Sequence, residues 1–208
     1  MTRAIVVDDH PFIRSAVKML LRKEKIDVVA EADNGVDAIR LALEHHPDLI
    51  ILDLNMPKLD GLGVIEKITH LSISTKVLVL TSQPELSYSS RCMRAGAAGF
   101  ISKASNLVEL VQAVKAVMGG YNYFPHLPSS SVRASDELGS DAKLISTLSN
   151  RELIVLRQLA RGDTNKQISH NMVLSNKTIS TYKTRVVEKL NLKSVVLLAE
   201  FARRNGLI

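Results

Sequence analysis

At 208 residues, 46% of them hydrophobic, the chain can bury a sizeable core in one large or two small domains. No apolar run approaches the roughly 20 residues of a membrane span, and "MTRAIVVDDHP" turns acidic where a signal peptide would turn apolar, so the sequence reads as cytoplasmic and without a membrane partner. The single Cys92 excludes an intramolecular disulfide framework and has no Cys partner for a structural metal site. The net charge of +6 is unevenly placed: Met1 to Pro125 holds 14 Lys+Arg against 14 Asp+Glu, and His126 to Ile208 holds 13 against 7. That asymmetry points to a nucleic-acid or acidic partner for the second half, with a solvated basic face as the plainer alternative.

The chain opens with "RAIVVDD", a short apolar run ending in acids. "HPFIRSAVKMLLRK" follows, with Phe12, Ile13, Ala16, Val17, Leu20 and Leu21 at helical spacing. The strands "DVVAEA", "LIILD", "KVLVLT" and "GFISK" then alternate with the helices "GVDAIRLALEHHP", "GLGVIEKITHL", "LSYSSRCMRAG" and "NLVELVQAVKAVMGG". Cys92 falls within one of these helices as a small packed residue. Five βα units with strands this apolar predict an α/β fold, a parallel sheet covered by helices on both faces. Ligands of such sheets bind beyond the carboxyl ends of the strands.

Five polar residues fall at those ends. Asp8 and Asp9 end the first strand, Asp53 the third, Thr81 follows the fourth, and Lys103 ends the fifth. Acids converging on one rim repel unless a cation joins them, and hard oxygen ligands suit Mg²⁺. Lys103 adds a positive charge and Thr81 a hydroxyl. The alternative is that the acids only terminate strands or cap the helices that follow.

The set "VVDDH", "LDLNMPKLDG", "LTSQ" and "GFISK" resembles the receiver domain of two-component response regulators, across residues 1–121. The resemblance implies a flavodoxin-like (βα)5 fold in which Asp53 accepts a phosphoryl group from a sensor histidine kinase. It further implies that Asp8, Asp9, Asp53 and the backbone carbonyl of Asn55 hold Mg²⁺, and that Thr81 and Lys103 bind the phosphoryl oxygens. Phe100 stands where the family has its switch aromatic; lacking a hydroxyl, it can switch only by packing or serve simply as core. Ala104 follows Lys103 where many receivers have Pro, and a cis bond without proline costs about 2.5 to 4 kcal/mol.

After the fifth helix, "YNYFPHLPSSSVRASDELGSDAK" has Pro, clustered Ser and no apolar period, as linkers do. The expected division is a receiver at 1–121, a linker at 122–146 and an all-α domain at 147–208. In that last part Ser149 and Glu152 form an S-x-x-E capping box, Leu153, Leu156, Leu159 and Ala160 share a face, and Gly162 suits the C-terminal cap. "TNKQISHNM" and "LSNKTISTYKTRVVEKLNL" make a helix-turn-helix, the second helix capped by Ser175 or Asn176. From Ser149 to the end the chain carries 11 basic and 4 acidic residues, a footprint for a phosphate backbone. Ile179, Val186, Val187 and Leu190 are expected to face the core, leaving Ser180, Thr181, Lys183 and Thr184 outward, able to reach base edges. A basic solvated helix in a protein-binding module is the alternative.

"LSNRELIVLRQLARGDTNKQISHNMVLSNKTISTYKTRVVEKLNLKS" resembles the LuxR-type helix-turn-helix domain. Receiver plus LuxR-type domain is similar to the NarL/FixJ response regulators, and "SNKTISTYK", with Tyr182 where many relatives have His, most resembles the BvgA/EvgA branch. The resemblance implies base contacts by Ser180, Thr181 and Thr184, and phosphate or sugar contacts by Lys177, Tyr182, Lys183, Arg185 and Lys189. It implies a dimer seam on the last helix, around Val195 to Phe201. The expectation is therefore a non-enzymatic transcriptional regulator, phosphorylated on Asp53, dimeric at least on DNA, with RNA polymerase as a further partner. A phosphatase or phosphotransfer enzyme using Asp53, with His10 as its acid-base group, and a phosphorylation-independent regulator controlled by a protein partner are the other readings; His10 reads better as a helix start.

Overall fold

Leu49–Leu52 are all buried, and β-rich apolar residues covered on both faces make this segment, β3, the centre of a parallel sheet. The computed structural model describes residues 1–124, 140–192 and 194–208, and the chain divides into two units, Met1–Leu127 and Pro128–Ile208. The first unit alternates strictly: β1 (Arg3–Val7), α1 (Pro11–Lys23), β2 (Asp27–Ala32), α2 (Gly35–His45), β3, α3 (Gly61–His70), β4 (Lys76–Thr81), α4 (Glu85–Ala95), β5 (Gly99–Ser102) and α5 (Leu107–Met118). Strand order is β2-β1-β3-β4-β5, all parallel. This is the flavodoxin-like order, in which the winding reverses between β1 and β3.

One face of the sheet, with Ala4, Val6, Leu49, Ile51, Leu78 and Ile101, packs on Val17, Leu20 and Leu21 of α1 and on Ala113, Val114 and Val117 of α5. The alternate residues Ile5, Ile50, Leu52, Val79 and Phe100 are buried as well. Asn34, Asp60 and Asn106 cap α2, α3 and α5 by accepting from the N–H three residues on. Cys92 is buried, and burial pushes its thiol up to about 12, so it is an inert packing residue.

The apolar residues of α1 divide between the sheet and the surface. Phe12 is 88% exposed and Ala16 is exposed, because the sheet takes the neighbouring stripe of Ile13, Val17, Leu20 and Leu21. The expected linker is also partly structured. Tyr123 bridges Gly99, and its carbonyl accepts from the Phe100 N–H at 2.8 Å, so the chain runs beside β5. At the other end Ser140–Thr147 form a helix, α6, whose Asp141 accepts from Arg204 and Asn205. A helix this short carries too little apolar period to be read from sequence. Residues 125–139 of the expected linker lie outside the described residues.

The second unit continues with α7 (Asn150–Ala160), α8 (Asn165–Met172), α9 (Asn176–Leu190) and α10 (Val195–Arg204). Its core is Leu153, Val155, Leu156, Leu159, Ile168, Ile179, Val186, Leu190, Leu198 and Phe201. Ala160 and Val187, expected inside, are half-buried, and Phe201, expected at a seam, is core. The Ser149–Glu152 capping box is present, a second box joins Thr164 and Gln167, and Ser175 caps α9. Among the described residues no helix is long and apolar enough to cross a membrane.

Candidate functional sites

The β1–β3 crossing point places Asp8 and Asp53 side by side, because the residues before them pair in register, Val7 with Leu52. Both side chains are about 2–3% exposed. Lys103, delivered by the end of β5 and held by its N–H on the Thr81 carbonyl at 2.8 Å, reaches between them. Its Nζ lies 2.7 Å from Asp8 Oδ2 and 2.8 Å from Asp53 Oδ2. Burial by itself would lower the Lys103 ammonium's pKa; hydrogen bonds and attraction from Asp53 and Asp8 outweigh it and hold the group above its ordinary value. The other Asp53 oxygen, Oδ1, accepts from the Leu54 N–H at 2.7 Å.

Asp9 completes the acidic set. One ligand atom each from Asp8, Asp9, His10 and Asp53 lies within 4.8 Å of all the others. Asp9 Oδ1 is buried and makes no hydrogen bond among the described residues. Three carboxylates converge here and the Lys103 ammonium is paired with two of them, so a divalent cation fits this donor set. Asn55, in the loop after β3, is exposed. Thr81 is fully buried, with its Oγ accepting from the Gln83 N–H at 3.3 Å. Phe100 is fully buried, and the Lys103–Ala104 peptide is trans.

Sequence reasoning missed two contributors, Gly61 and Arg14, and read a third, His10, as a helix start. Gly61 packs so closely that a Cβ there would sit 2.3 Å from the Asp53 carbonyl oxygen, so glycine lets α3 start beside Asp53. Arg14 Nη1 donates to the Asp8 carbonyl at 2.7 Å. His10, the N-cap of α1, turns its ring toward Asp8 and Asp9. The one sequence signal for these was proximity in the chain to a rim acid.

In the second unit α8 and α9 form two helices around the turn Val173–Ser175. Along α9 Lys177, Ser180, Thr181, Thr184 and Arg185 are exposed, and Tyr182 and Lys183 half-buried. The Thr181 and Thr184 hydroxyls donate to the carbonyls of Lys177 and Ser180, and Tyr182 OH accepts from Arg151 Nη1 at 3.4 Å. Lys189, expected at phosphate or sugar, has an intramolecular partner in the chain alone. Its Nζ lies 2.6 Å from Oε2 of buried Glu152 and 3.0 Å from the Thr147 carbonyl, which commits it to joining α9 to α7.

Residues 4–115 match the family model "Response regulator receiver domain", and residues 146–202 match "Bacterial regulatory proteins, luxR family". The chain is 50% identical over 205 residues to "Virulence factors putative positive transcription regulator BvgA" of Bordetella pertussis strain Tohama I, covering 99% of this chain and 98% of that protein. The chain belongs to the NarL/FixJ-type two-component response regulators. This regulator is also 36% identical over 202 residues to "DNA-binding transcriptional activator EvgA" of Escherichia coli K12, covering 97% and 98% of the two chains. Among solved structures it is similar to the RcsB response regulator of Salmonella typhimurium, with a TM-score of 0.74, 25% identity and 98% and 97% of the two chains covered. A second RcsB structure, two dimers bound to two parallel DNAs, matches with a TM-score of 0.57, 25% identity and 97% and 98% coverage.

The response regulator thus joins a receiver domain to a LuxR-type DNA-binding domain, as its motifs lead one to expect. Its acidic rim gathers Asp8, Asp9, Asp53, Thr81 and Lys103 on one edge of the sheet, and its basic and hydroxyl side chains on α9 share one exposed helix.

Proposed function

We propose that Asp53 is the phosphoacceptor and that its phosphorylation by a sensor histidine kinase controls sequence-specific DNA binding by α9. The observation that carries this reading is the Lys103 ammonium bridging Asp8 and Asp53 at 2.7 and 2.8 Å, on a buried rim with room for a cation. A carboxylate oxygen of Asp53 attacks phosphorus, the P–N bond to the donor imidazole breaks, and an acyl phosphate forms. Lys103 stays beside the modified side chain and balances its added charge. Thr81, whose Oγ now accepts from Gln83, keeps its own proton to donate to a phosphoryl oxygen. Mg²⁺, held by Asp8, Asp9, Asp53 and the Asn55 carbonyl, supplies charge neutralisation when bound. Phe100 adjusts its packing as Thr81 moves.

On DNA, Ser180, Thr181 and Thr184 read base edges from α9, while Lys177, Tyr182, Lys183 and Arg185 hold phosphates and sugars. Val195, Val196 and Leu197 at the start of α10 are 42%, 76% and 45% exposed and provide a homodimer seam for paired half-sites. RNA polymerase is the further partner of a promoter-bound activator. The regulator works in the cytoplasm as a switch and does not turn over a substrate.

Intact mass after incubation with a small acyl phosphate, with and without Mg²⁺, tests the first step. A gain of one phosphoryl group that needs Mg²⁺ and disappears in Asp53→Asn is expected. The same gain in Asp53→Asn would overturn the assignment of the phosphoacceptor.

A further inference from the structure

Asn165 is the first residue of α8, where its side chain has no cap to make: Thr164 is the N-cap, and Thr164 with Gln167 closes the capping box. Its half-buried amide turns instead to the next helix, and Nδ2 donates to Ser180 Oγ at 3.3 Å, across 15 residues of chain. The contact lands on the exposed face of α9. There Lys177, Ser180, Thr181 and Thr184 fall at i, i+3, i+4 and i+7 and share one exposed stripe. The hydroxyls of that stripe differ in what they have left to offer. Thr181 Oγ1 donates to the Lys177 carbonyl and Thr184 Oγ1 to the Ser180 carbonyl, both at 3.1 Å, so each threonine has spent its proton on the helix and presents lone pairs. Ser180 is the reverse case. Its oxygen is engaged by Asn165, and among the described residues its proton has no acceptor.

We propose that Asn165 is a positioning residue for base recognition, holding Ser180 as a hydrogen-bond donor to the major-groove edge of a guanine. The proposal rests on α9 being the DNA-reading helix, and adds which base one of its side chains reads. An amide N–H on Ser180 Oγ takes one of its lone pairs and polarises the O–H, so the hydroxyl is a better donor and a poorer acceptor than a free one. The acceptors on major-groove edges are guanine N7 and O6, adenine N7 and thymine O4. Guanine sets two of them side by side, whereas adenine places an amino donor beside its N7 and thymine a methyl group beside its O4. A serine without this neighbour accepts from an amino group as readily as it donates, so removing Asn165 removes the preference rather than the contact.

For the test, the full-length protein, treated with a small acyl phosphate and Mg²⁺, first selects its preferred site from a library of random-sequence duplexes. Affinities for that site and for its single base-pair changes are then measured with the wild type, Ser180→Ala, Asn165→Ala, Asn165→Asp and the double alanine variant. Preference is read as the ratio between base pairs at each position, so a general loss of affinity or of folded protein cancels. Ser180→Ala is expected to flatten the preference at one position, a G·C pair, by about fivefold. Asn165→Ala is expected to flatten the same position and no other, and the double variant to be no flatter than either single one. Asn165→Asp keeps the shape of the side chain but accepts the Ser180 proton, so it is expected to lose the guanine preference too. A Ser180-dependent position that keeps its preference in either Asn165 variant overturns the role of Asn165 and leaves α9 as the reading helix. Flattening of several positions by Asn165→Ala makes the residue a brace for the whole helix and overturns it as well. A Ser180-dependent A·T pair overturns the assignment to guanine. Failure to select any site removes the DNA-reading role of α9 and the proposal with it, and a site with no position that depends on Ser180 removes the proposal alone.

Discussion

Val173 closes α8 with a left-handed backbone, φ 53° and ψ 46°, and is 66% exposed. A β-branched residue in that conformation costs about 1–2 kcal/mol in backbone sterics and recovers little by burial. Asparagine tolerates the same geometry, so Val173→Asn should stabilise the regulator by about 1 kcal/mol, read as a higher urea midpoint. Lys103 presents the opposite case, a residue whose removal exposes a conflict. Without its ammonium, Asp8 and Asp53 face each other unneutralised, and Lys103→Met should cost about 3 kcal/mol in metal-free buffer. A divalent cation should restore much of that stability, and should raise the melting temperature of the variant more than that of the wild type. Equal shifts in both proteins would mean that lysine and cation do not share the same carboxylates.

Between elements, single side chains fix how helices meet. Glu152 caps α7 and binds Lys189 of α9, so one buried carboxylate sets both the start of a helix and its crossing with the next. Burial pushes the Glu152 carboxyl upward, but hydrogen bonds from Lys189 and Ser149 outweigh it and hold the group below its ordinary value of 4.5. A folded-state pKa below the unfolded one means stability present above about pH 4.5 and lost as pH falls through the folded value. Lys189→Met leaves the carboxylate buried and unpaired, and should cost about 3 kcal/mol at neutral pH. Denaturant titrations of both proteins should show that difference shrinking below pH 4.5, where protonation relieves the variant and weakens the wild type. At the sheet rim Gly61 has the same kind of control. Gly61→Ala forces α3 away from the Asp53 carbonyl, and should destabilise by about 1–3 kcal/mol while slowing phosphoryl gain from a small donor.

For the whole molecule, charge is segregated by unit. The balanced first unit carries the chemistry, and the basic second unit carries the attraction to nucleic acid. Removing one cation that binds a DNA phosphate should make the slope of log affinity against log salt shallower by about 0.9. Lys177→Ala and Arg185→Ala should each show that change in DNA-binding titrations. A Lys189 variant that remains folded should keep the wild-type slope, because its ammonium is already engaged by Glu152 and Thr147. A shallower slope for the Lys189 variant would mean that this side chain leaves Glu152 on binding DNA.

Much of this was legible in the chain. Strand–helix alternation, acids and a lysine at successive strand ends, and the capping box before α7 are local patterns, and local sterics and hydrogen bonding suffice to specify them. Tertiary structure decided what depends on a choice between equivalent faces or on distant partners. Both Phe12 with Ala16 and Ile13 with Val17 are helical stripes, and only the sheet selects the second. Lys189 reads as one more surface cation until folding sets Glu152, 37 residues earlier, against its ammonium. His10 reads as a helix start, and only the turn out of β1 brings its nitrogen to the acidic rim. Period and composition are summed along the chain, whereas burial and ion pairing are settled by residues that meet across it.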